Sequence, residues 1–576
     1  MQIVASQRIG EKIKQVILRH VGVADDEPEL LRLKELARVL LQQIRQQESP
    51  ELFLPSQRPS GNPTSRSPRG KPAGMREATS SASVPLEVDL RHLREQSRNI
   101  TGIHEIYGRL YEELGFGRVL ATPSAHGGAV RLLKQMVLAR LAAPSSKRGS
   151  VRDLAERFGI KLSLPAVYRM LDRVDVDSQE RLQELSYSAA AELFGQKINL
   201  VFYDCTTLYF ESFTEDALRV KGFSKDNLFS QTQVLLALAV TVEGIPLGYE
   251  LFPGNTFEGN TFKQLLERME AKWKPTELVV VADPGAPGLS EANLQLLEKR
   301  RFSYIVGARL KSLKGSLAKK VQALGQAPCP ADKTGEDSRT ASVGSIAVDQ
   351  KSRLVVSFSP VRARKDAHER QKMIAKVKKR LENSGQIKPL VGKQGYRRFL
   401  KLDGKCQVQL DEQAVEKAAQ WDGLHGVRTN LLTMPEAEVL EQYHGLWQVE
   451  DCFRVSKHDL RVRPIFHWTA GRIQAHVAIC FMALCCVRNL MYRVKLQQGA
   501  MSAAAIRRAL LSVQVSVYKD RSTGRRYELP GRWQSEAELL YKTMGVKLQG
   551  AARRLEGEET VAKKPERAEN VRRRGM

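Results

Sequence analysis

LVFYDCTTLYFES, residues 200–212, decides how the chain is read. The run 200–210 is rich in aliphatic, aromatic and Thr residues, the composition of a buried or half-buried strand. Asp204 stands in the middle of it, and a carboxylate is costly to bury without a partner. Either Asp204 is a structural acid tied to a nearby base, or the strand holds a carboxylate at a reactive centre.

Working outward, strands are predicted at about 198–210, 230–242 (SQTQVLLALAVTV) and 246–252 (PLGYELF). A helix at 261–273 leads into the strand ELVVVADPG at 277–285; the helix SEANLQLLEKRR and the strand FSYIVGARL follow. Three meandering strands and then helix–strand–helix–strand is a mixed α/β layout, the order expected of a ribonuclease-H-like core. Its first part is placed at 197–310 and its second at 436–500, where two long helices (about 435–458 and 470–496) are expected. Between them, 311–435 reads as a β-rich insertion with its own strands and a charged helix around Lys365–Asn383.

Towards the amino terminus, residues 1–48 read as a short hairpin and a helix at about 28–46. Residues 49–85, dense in Pro, Ser, Gly and Arg, read as a flexible basic linker. Residues 86–196 read as a helical, DNA-binding domain. At the other end, 501–576 is a mixed region closing in a charged tail from about 551, of the kind that stays disordered.

Lys and Arg number 91 against 64 Asp and Glu, a net charge of +27. Such an excess points to an anionic polymer, nucleic acid foremost. No apolar run is read as long enough to span a bilayer, and the first residues lack a signal-peptide pattern, so a cytoplasmic protein is expected. The seven Cys form no C-x-x-C pair, which argues against a disulfide framework and a thiolate zinc site. The histidines at 444, 458, 467 and 476 have no matching ligand set.

SVRDLAERFGIKLSLPAVYRMLDRV (150–174) has a helix–turn–helix rhythm. Ser150 is expected to cap the first helix, Gly159 to end it and Pro165 to begin the second. Either this is a DNA-binding pair offering Tyr168, Arg169 and Arg173 to the duplex, or it is an ordinary hairpin in a bundle.

Three carboxylates carry the chemistry. Asp204 is mid-strand, Asp283 closes a β-forming run at a Gly/Pro turn, and Glu450 lies in the helical stretch YHGLWQVEDCFRVSKHDL. Tyr443, Glu450 and Lys457 are seven apart and so share a helix face, with Arg454 close by. Alone, each acid has an ordinary structural reading. Together, a strand Asp, a strand-end Asp and a helical Glu suit a two-metal phosphoryl-transfer site.

The segments YDCTTLYFE, GFSKDN, GIPLGYELFPGNTFEG, VVVADPG, WDGLHGVRTN and YHGLWQVEDCFRVSKHDLRVRPIFHW, in this order, resemble bacterial insertion-sequence transposases. The group is the DDE class with a Tyr-Arg-Glu-Lys signature, the IS-four superfamily; the resemblance covers about 90–495. It implies Asp204, Asp283 and Glu450 as ligands of two Mg²⁺ ions, with Mn²⁺ a possible substitute, and Tyr443 and Lys457 as the signature's Tyr and Lys. Lys457 and Arg454 would contact backbone phosphate, and Tyr443 would hydrogen-bond near the scissile group. Asn255 and Glu258 are either supporting residues or parts of a turn. The activity implied is cleavage of transposon ends and transfer of the 3′-hydroxyl to target DNA, by a homodimer or larger complex on double-stranded DNA near the bacterial nucleoid. Leu446 stands where the signature has Arg, and the turn after Asp283 reads PGAPGLS.

Overall fold

The computed structural model describes residues 2–9, 12–20, 88–120, 127–195, 198–211, 214–222, 230–268, 278–283, 290–326, 342–381, 398–402 and 408–555. The chain divides into two units, Met1–Val84 and Pro85–Met576. In the first, β1 (Gln2–Ile9) and β2 (Lys12–His20) pair antiparallel, the expected hairpin. The helix expected at 28–46 and the linker at 49–85 lie outside the described residues.

The second unit opens with β3 (Leu93–Ile100) and five helices: α1 (Gly102–Glu113), α2 (Gly127–Ala142), α3 (Lys147–Phe158), α4 (Leu164–Leu171) and α5 (Val176–Leu193). Then come β4 (Leu200–Tyr209), β5 (Gln233–Thr241), β6 (Pro246–Pro253), α6 (Glu258–Arg268), β7 (Val279–Ala282), α7 (Glu291–Lys299), β8 (Ser303–Gly307) and α8 (Gly315–Gln326). The next stretch holds β9 (Ser342–Ala347), β10 (Arg353–Phe358), α9 (Pro360–Leu381), β11 (Leu400–Leu402), β12 (Val408–Leu410), α10 (Glu412–Ala419) and β13 (Leu424–Thr429). The chain continues through α11 (Glu436–His444), α12 (Trp447–Arg454), α13 (Ala470–Gln498), α14 (Ala503–Ser512), β14 (Gln514–Asp520), β15 (Arg526–Pro530), α15 (Ser535–Thr543) and β16 (Arg553–Leu555).

An eight-stranded mixed sheet in the order β6-β5-β4-β7-β8-β13-β10-β9 forms the scaffold. β7 runs parallel to β4 and β8 parallel to β7, while β5 and β6 are antiparallel. Successive side chains of a strand alternate between the two faces. Phe202, Val281 and Ile305 pack with Val439, Tyr443, Val449 and Phe453 of α11 and α12. Tyr203, Val280 and Tyr304 face the other way, onto Phe262 and Leu266 of α6 and Leu294 and Leu297 of α7.

Four expectations are corrected. The stretch 311–435 is only in part a β unit of its own: β11 and β12 pair as a separate two-stranded sheet, but β13, β10 and β9 extend the main sheet antiparallel beyond β8. Region 86–196 is not only helical: β3 pairs with β14, so both ends of the second unit share a four-stranded sheet, β16-β15-β14-β3. The helix expected at 435–458 is broken. Tightened bonds from Leu446 N to Tyr443 O (3.1 Å) and Gln448 N to Gly445 O (3.0 Å) separate α11 from α12, and a π-type turn follows at Val455–Asp459. Finally, α13 contains 28 residues, Ala470–Gln497, long and apolar enough by composition to cross a bilayer; 78% of its most apolar window is buried inside the fold, where it serves as core.

Candidate active site

Asp204 lies on β4, half-buried, and its Oδ1 accepts from the amide of Cys205 at 2.7 Å. The strand predicted for 277–285 ends at Ala282, which leaves Asp283 exposed one residue past the last paired position. Because Tyr203 is in register with Ala282 in the parallel β4–β7 pair, Asp204 and Asp283 are the next neighbours across two strands about 4.8 Å apart. Both share the face of Phe202 and Val281, the one covered by α11 and α12.

Glu450 stands on the exposed side of α12, whose other side buries Gln448, Val449, Cys452 and Phe453. Close packing fixes this helix. Gly445 lies so near the Phe202 ring that a Cβ there would come within 2.5 Å of Phe202 Cζ. Arg488 of α13, buried and polar in an apolar helix, donates to Asp451 Oδ2 (2.6 Å), Gln448 Oε1 (2.8 Å) and the carbonyls of Gly244 (2.8 Å) and Glu243 (3.2 Å). One guanidinium thus ties α13, α12 and the β5–β6 turn together. The sequence signal for it is a lone Arg in CCVRNLMY.

Tyr443, at the end of α11, donates its hydroxyl to Asp283 Oδ1 at 3.3 Å. Burial holds its pKa far above the usual tyrosine value, reinforced by the Asp283 carboxylate and by Glu450, while Arg362 opposes the shift. The hydroxyl therefore feels both the second and the third acid. His425 of β13, its ring 5.1 Å from that of Tyr443, has its pKa pushed down to about 4 by burial, Arg362 and His444. Neither Arg362 nor His425 was singled out from the sequence, though His425 belongs to the quoted WDGLHGVRTN. That motif is largely structural: Asp422 pairs with Arg370, and Asn430 accepts from Tyr304 N (2.9 Å) and donates to Phe302 O (3.0 Å).

The remaining candidates separate. Arg454 bonds Asp451 (2.7 Å) and Asp459 (3.5 Å). Lys457 is half-buried in the π-type turn, and Leu446 is buried in the core. Tyr443 and Glu450 do not share one continuous helix, since the break at 445–446 intervenes. Among the described residues no group of three His, Cys, Asp or Glu closes into a metal-holding cluster; Asp204 and Asp283 are neighbours at one sheet end. Asn255 sits in the turn after β6 and Glu258 begins α6. The PGAPGL residues 284–289 lie outside the described residues, as do Cys329 and Cys406; the other five Cys are buried and form no disulfide.

In the helical pair, Ser146 rather than Ser150 caps α3, accepting from Gly149 N at 3.1 Å, because the helix starts a turn earlier than expected. Gly159 ends α3 with φ +70°, and Pro165 falls in the first turn of α4, both as expected. Tyr168 turns inward: Arg472 lies 5.1 Å over its ring and His467 meets its edge at 6.4 Å. Arg169 is exposed on α4, and Arg173 lies in the turn beyond it.

No curated protein matches the sequence. Among solved structures, the catalytic domain of Mos1 mariner transposase is 14% identical over 22% of this chain and 59% of that one, with a TM-score of 0.14. The Mos1 transposase paired-end complex with left transposon end is 14% identical over 32% and 60%, again with a TM-score of 0.14. The chain thus spans about three fifths of these proteins, at a similarity too low to weigh. The sequence itself is decisive: the family model described as the transposase DDE domain matches residues 195–486, just over half of the 576 residues and all three acids, and the chain belongs to that family.

Proposed function

We propose that the chain is a DNA transposase with a ribonuclease-H-like catalytic core, acting on the ends of its own mobile element. One observation carries this reading. Asp204 and Asp283 stand side by side on neighbouring parallel strands, and Tyr443, bonded to Asp283, is also within the field of Glu450. Carboxylate oxygens are hard donors that suit Mg²⁺, with Mn²⁺ as a substitute, and Asp204, Asp283 and Glu450 are the residues that would hold it. Bound there, such ions supply charge that stabilises the entering and leaving oxygens of an in-line displacement.

The protein's own groups orient the site. Tyr443 keeps its proton and holds the Asp283 carboxylate by a hydrogen bond. Lys457 and Arg362 offer cations to backbone phosphates. Arg454, held by Asp451 and Asp459, steadies α12, and its half-exposed guanidinium would face DNA. Arg169 and Arg173 are outward cations of the helical pair, beside Arg152, Arg157 and Lys161. The net charge of +27 supports double-stranded DNA as partner. Joining two ends requires a homodimer or larger complex, working near the bacterial nucleoid in the cytoplasm.

A second reading, DNA binding on the same scaffold without catalysis, is favoured by Leu446 at the signature's Arg position, where it is buried in the core. Duplexes carrying the element's terminal inverted repeats, incubated with the full chain and Mg²⁺, separate the two. Wild type is expected to cleave the ends, and Asp204→Asn to bind them without cutting. Equal cleavage by both proteins would sink the catalytic reading, whereas binding without cleavage by wild type establishes the second.

A further inference from the structure

Outside the acid site, a cavity of about 260 Å³ opens between the α2–α3 loop, α4 and the segment leading into α13. Its walls carry Arg140, Lys147, Arg461, Arg463, His467 and His476, and no Asp or Glu lines it. Arg140 and Lys147 are each only 4% exposed. Arg140 donates to the carbonyls of Leu460 (3.4 Å) and Arg461 (3.3 Å). Lys147 Nζ lies 3.2 Å from His476 Nδ1, and His476 Nε2 faces Val462 O at 3.0 Å. The tautomer with the proton on Nε2 satisfies both contacts. Among the described residues neither Arg140 nor Lys147 meets a carboxylate.

Buried cations without a counter-charge are costly. The strain shows in the titrating groups: burial and Arg140 bring the Lys147 pKa down to about 7, and burial with Lys147, Arg472 and Arg140 brings His467 to about 4. Arg461 adds backbone strain, holding φ +46° without being glycine, a conformation that clusters at ligand-binding and functional segments. We infer that this pocket seats a phosphate group, which supplies the missing negative charge to Arg140, Lys147 and Arg461.

The pocket is wired to the acid site by the chain itself. Its wall segment begins just after Lys457, Ile465 N donates to Tyr209 O at 3.5 Å, and Arg463 lies 5.1 Å over the Tyr209 ring. Tyr209 is five residues along β4 from Asp204, about 17 Å at ~3.3 Å per residue. That distance matches about five nucleotides of one DNA strand at ~3.4 Å each. A backbone phosphodiester and a free phosphate offer the same chemistry, and the two are separated by experiment.

The test uses the full chain without divalent metal, in two arms. Thermal melting is followed with about 20 mM inorganic phosphate against chloride of equal ionic strength, and the salt dependence of binding is measured on a mixed-sequence duplex. Lys147→Gln removes the buried charge and keeps a donor for His476; Arg461→Gly removes the guanidinium and tolerates the positive φ. Phosphate is expected to raise the wild-type midpoint by roughly 2 °C or more. Lys147→Gln is expected to melt no lower than wild type without phosphate, and to lose the response. If both variants also flatten the slope of log K against log salt by about 0.9, the phosphate belongs to the DNA backbone. A lost phosphate response with unchanged slopes assigns the pocket to a free phosphate. Wild type indifferent to phosphate, or variants that respond as it does, would overturn the proposal. Only the duplex arm rests on the DNA reading above, so the failure of either idea is visible separately.

Discussion

Replacing Arg488 by Met tests whether one buried guanidinium positions the third acid. Met keeps most of the stem's volume and removes every donor. The variant loses the 2.6 Å pair with Asp451, leaves Gln448 Oε1 without its donor, and leaves the Gly244 carbonyl only the weakly donating Cys452 thiol at 3.4 Å. Removing one partner of a buried ion pair costs about 3–5 kcal/mol, and each orphaned buried acceptor about 1–3 kcal/mol. These figures overlap rather than add, and Asp451 keeps Arg454 at 2.7 Å with its side chain 18% exposed. The lower end applies, so the net loss is about 3 kcal/mol. With a urea m-value of ~3 kcal/mol/M or more for a chain of this size, the midpoint falls by up to about 1 M. Midpoints are compared directly, since a chain this large need not unfold in two states. α12 carries Glu450 beside Asp451, so Mg²⁺-dependent end cleavage is expected to fall while duplex binding persists, and Arg488→Lys is expected to recover part of both losses. An Arg488→Met protein with the wild-type midpoint and wild-type cleavage would refute the positioning role.

Gly244, at φ +77°, faces the same guanidinium, and a Cβ there would lie 1.8 Å from Arg488 Nη2. Gly244→Ala is expected to cost about 2–4 kcal/mol by urea unfolding, and the double variant with Arg488→Met less than the sum, because both act on one contact. Tyr443→Phe keeps the ring packed and deletes the bond to Asp283; stability should hold within about 1 kcal/mol, while single-turnover cleavage slows roughly 3- to 10-fold. The basic pocket makes stability depend on pH. Lys147 has a folded pKa of about 7, below its unfolded value, so between pH 7 and about 10 the unfolded chain binds more protons and stability rises with pH. His467 and His476, both lowered, act in the same direction as pH rises from about 4 to about 6.5. Melting scans in phosphate-free buffer check this: in Lys147→Gln the rise above pH 7 should vanish while the histidine limb stays.

How far the sequence was legible follows from what its signals encode. Alternation and β-branched composition mark β4, β5 and β8 as strands, because a strand's faces must match its layers. They say nothing about partners. So β9 and β10 read as part of a separate unit, although pairing through β13 to β8 makes them an extension of one sheet, and β3 was hidden because its polar run LREQSRNI finds its partner at β14, over 400 residues on. The helix break at Gly445–Leu446 escaped for a different reason. Gly445 at the break packs so close to the Phe202 ring that no side chain fits there, a contact between segments that local periodicity cannot register.

The two cation sites differ in one respect that composition alone does not show. Arg488 in CCVRNLMY and Arg140 in MVLARLAA are each a lone charge in an apolar helical run, which is the signal that a buried polar contact exists somewhere. Arg488 meets Asp451 and is satisfied by the fold, so its replacement should loosen the protein. Arg140 meets only carbonyls, beside a lysine whose burial has already weakened its hold on a proton. A fold gains nothing by keeping such a pair unless something else brings the negative charge. The same sequence signature therefore divides on its partner: a carboxylate makes a lock, and the lack of one makes room for a phosphate.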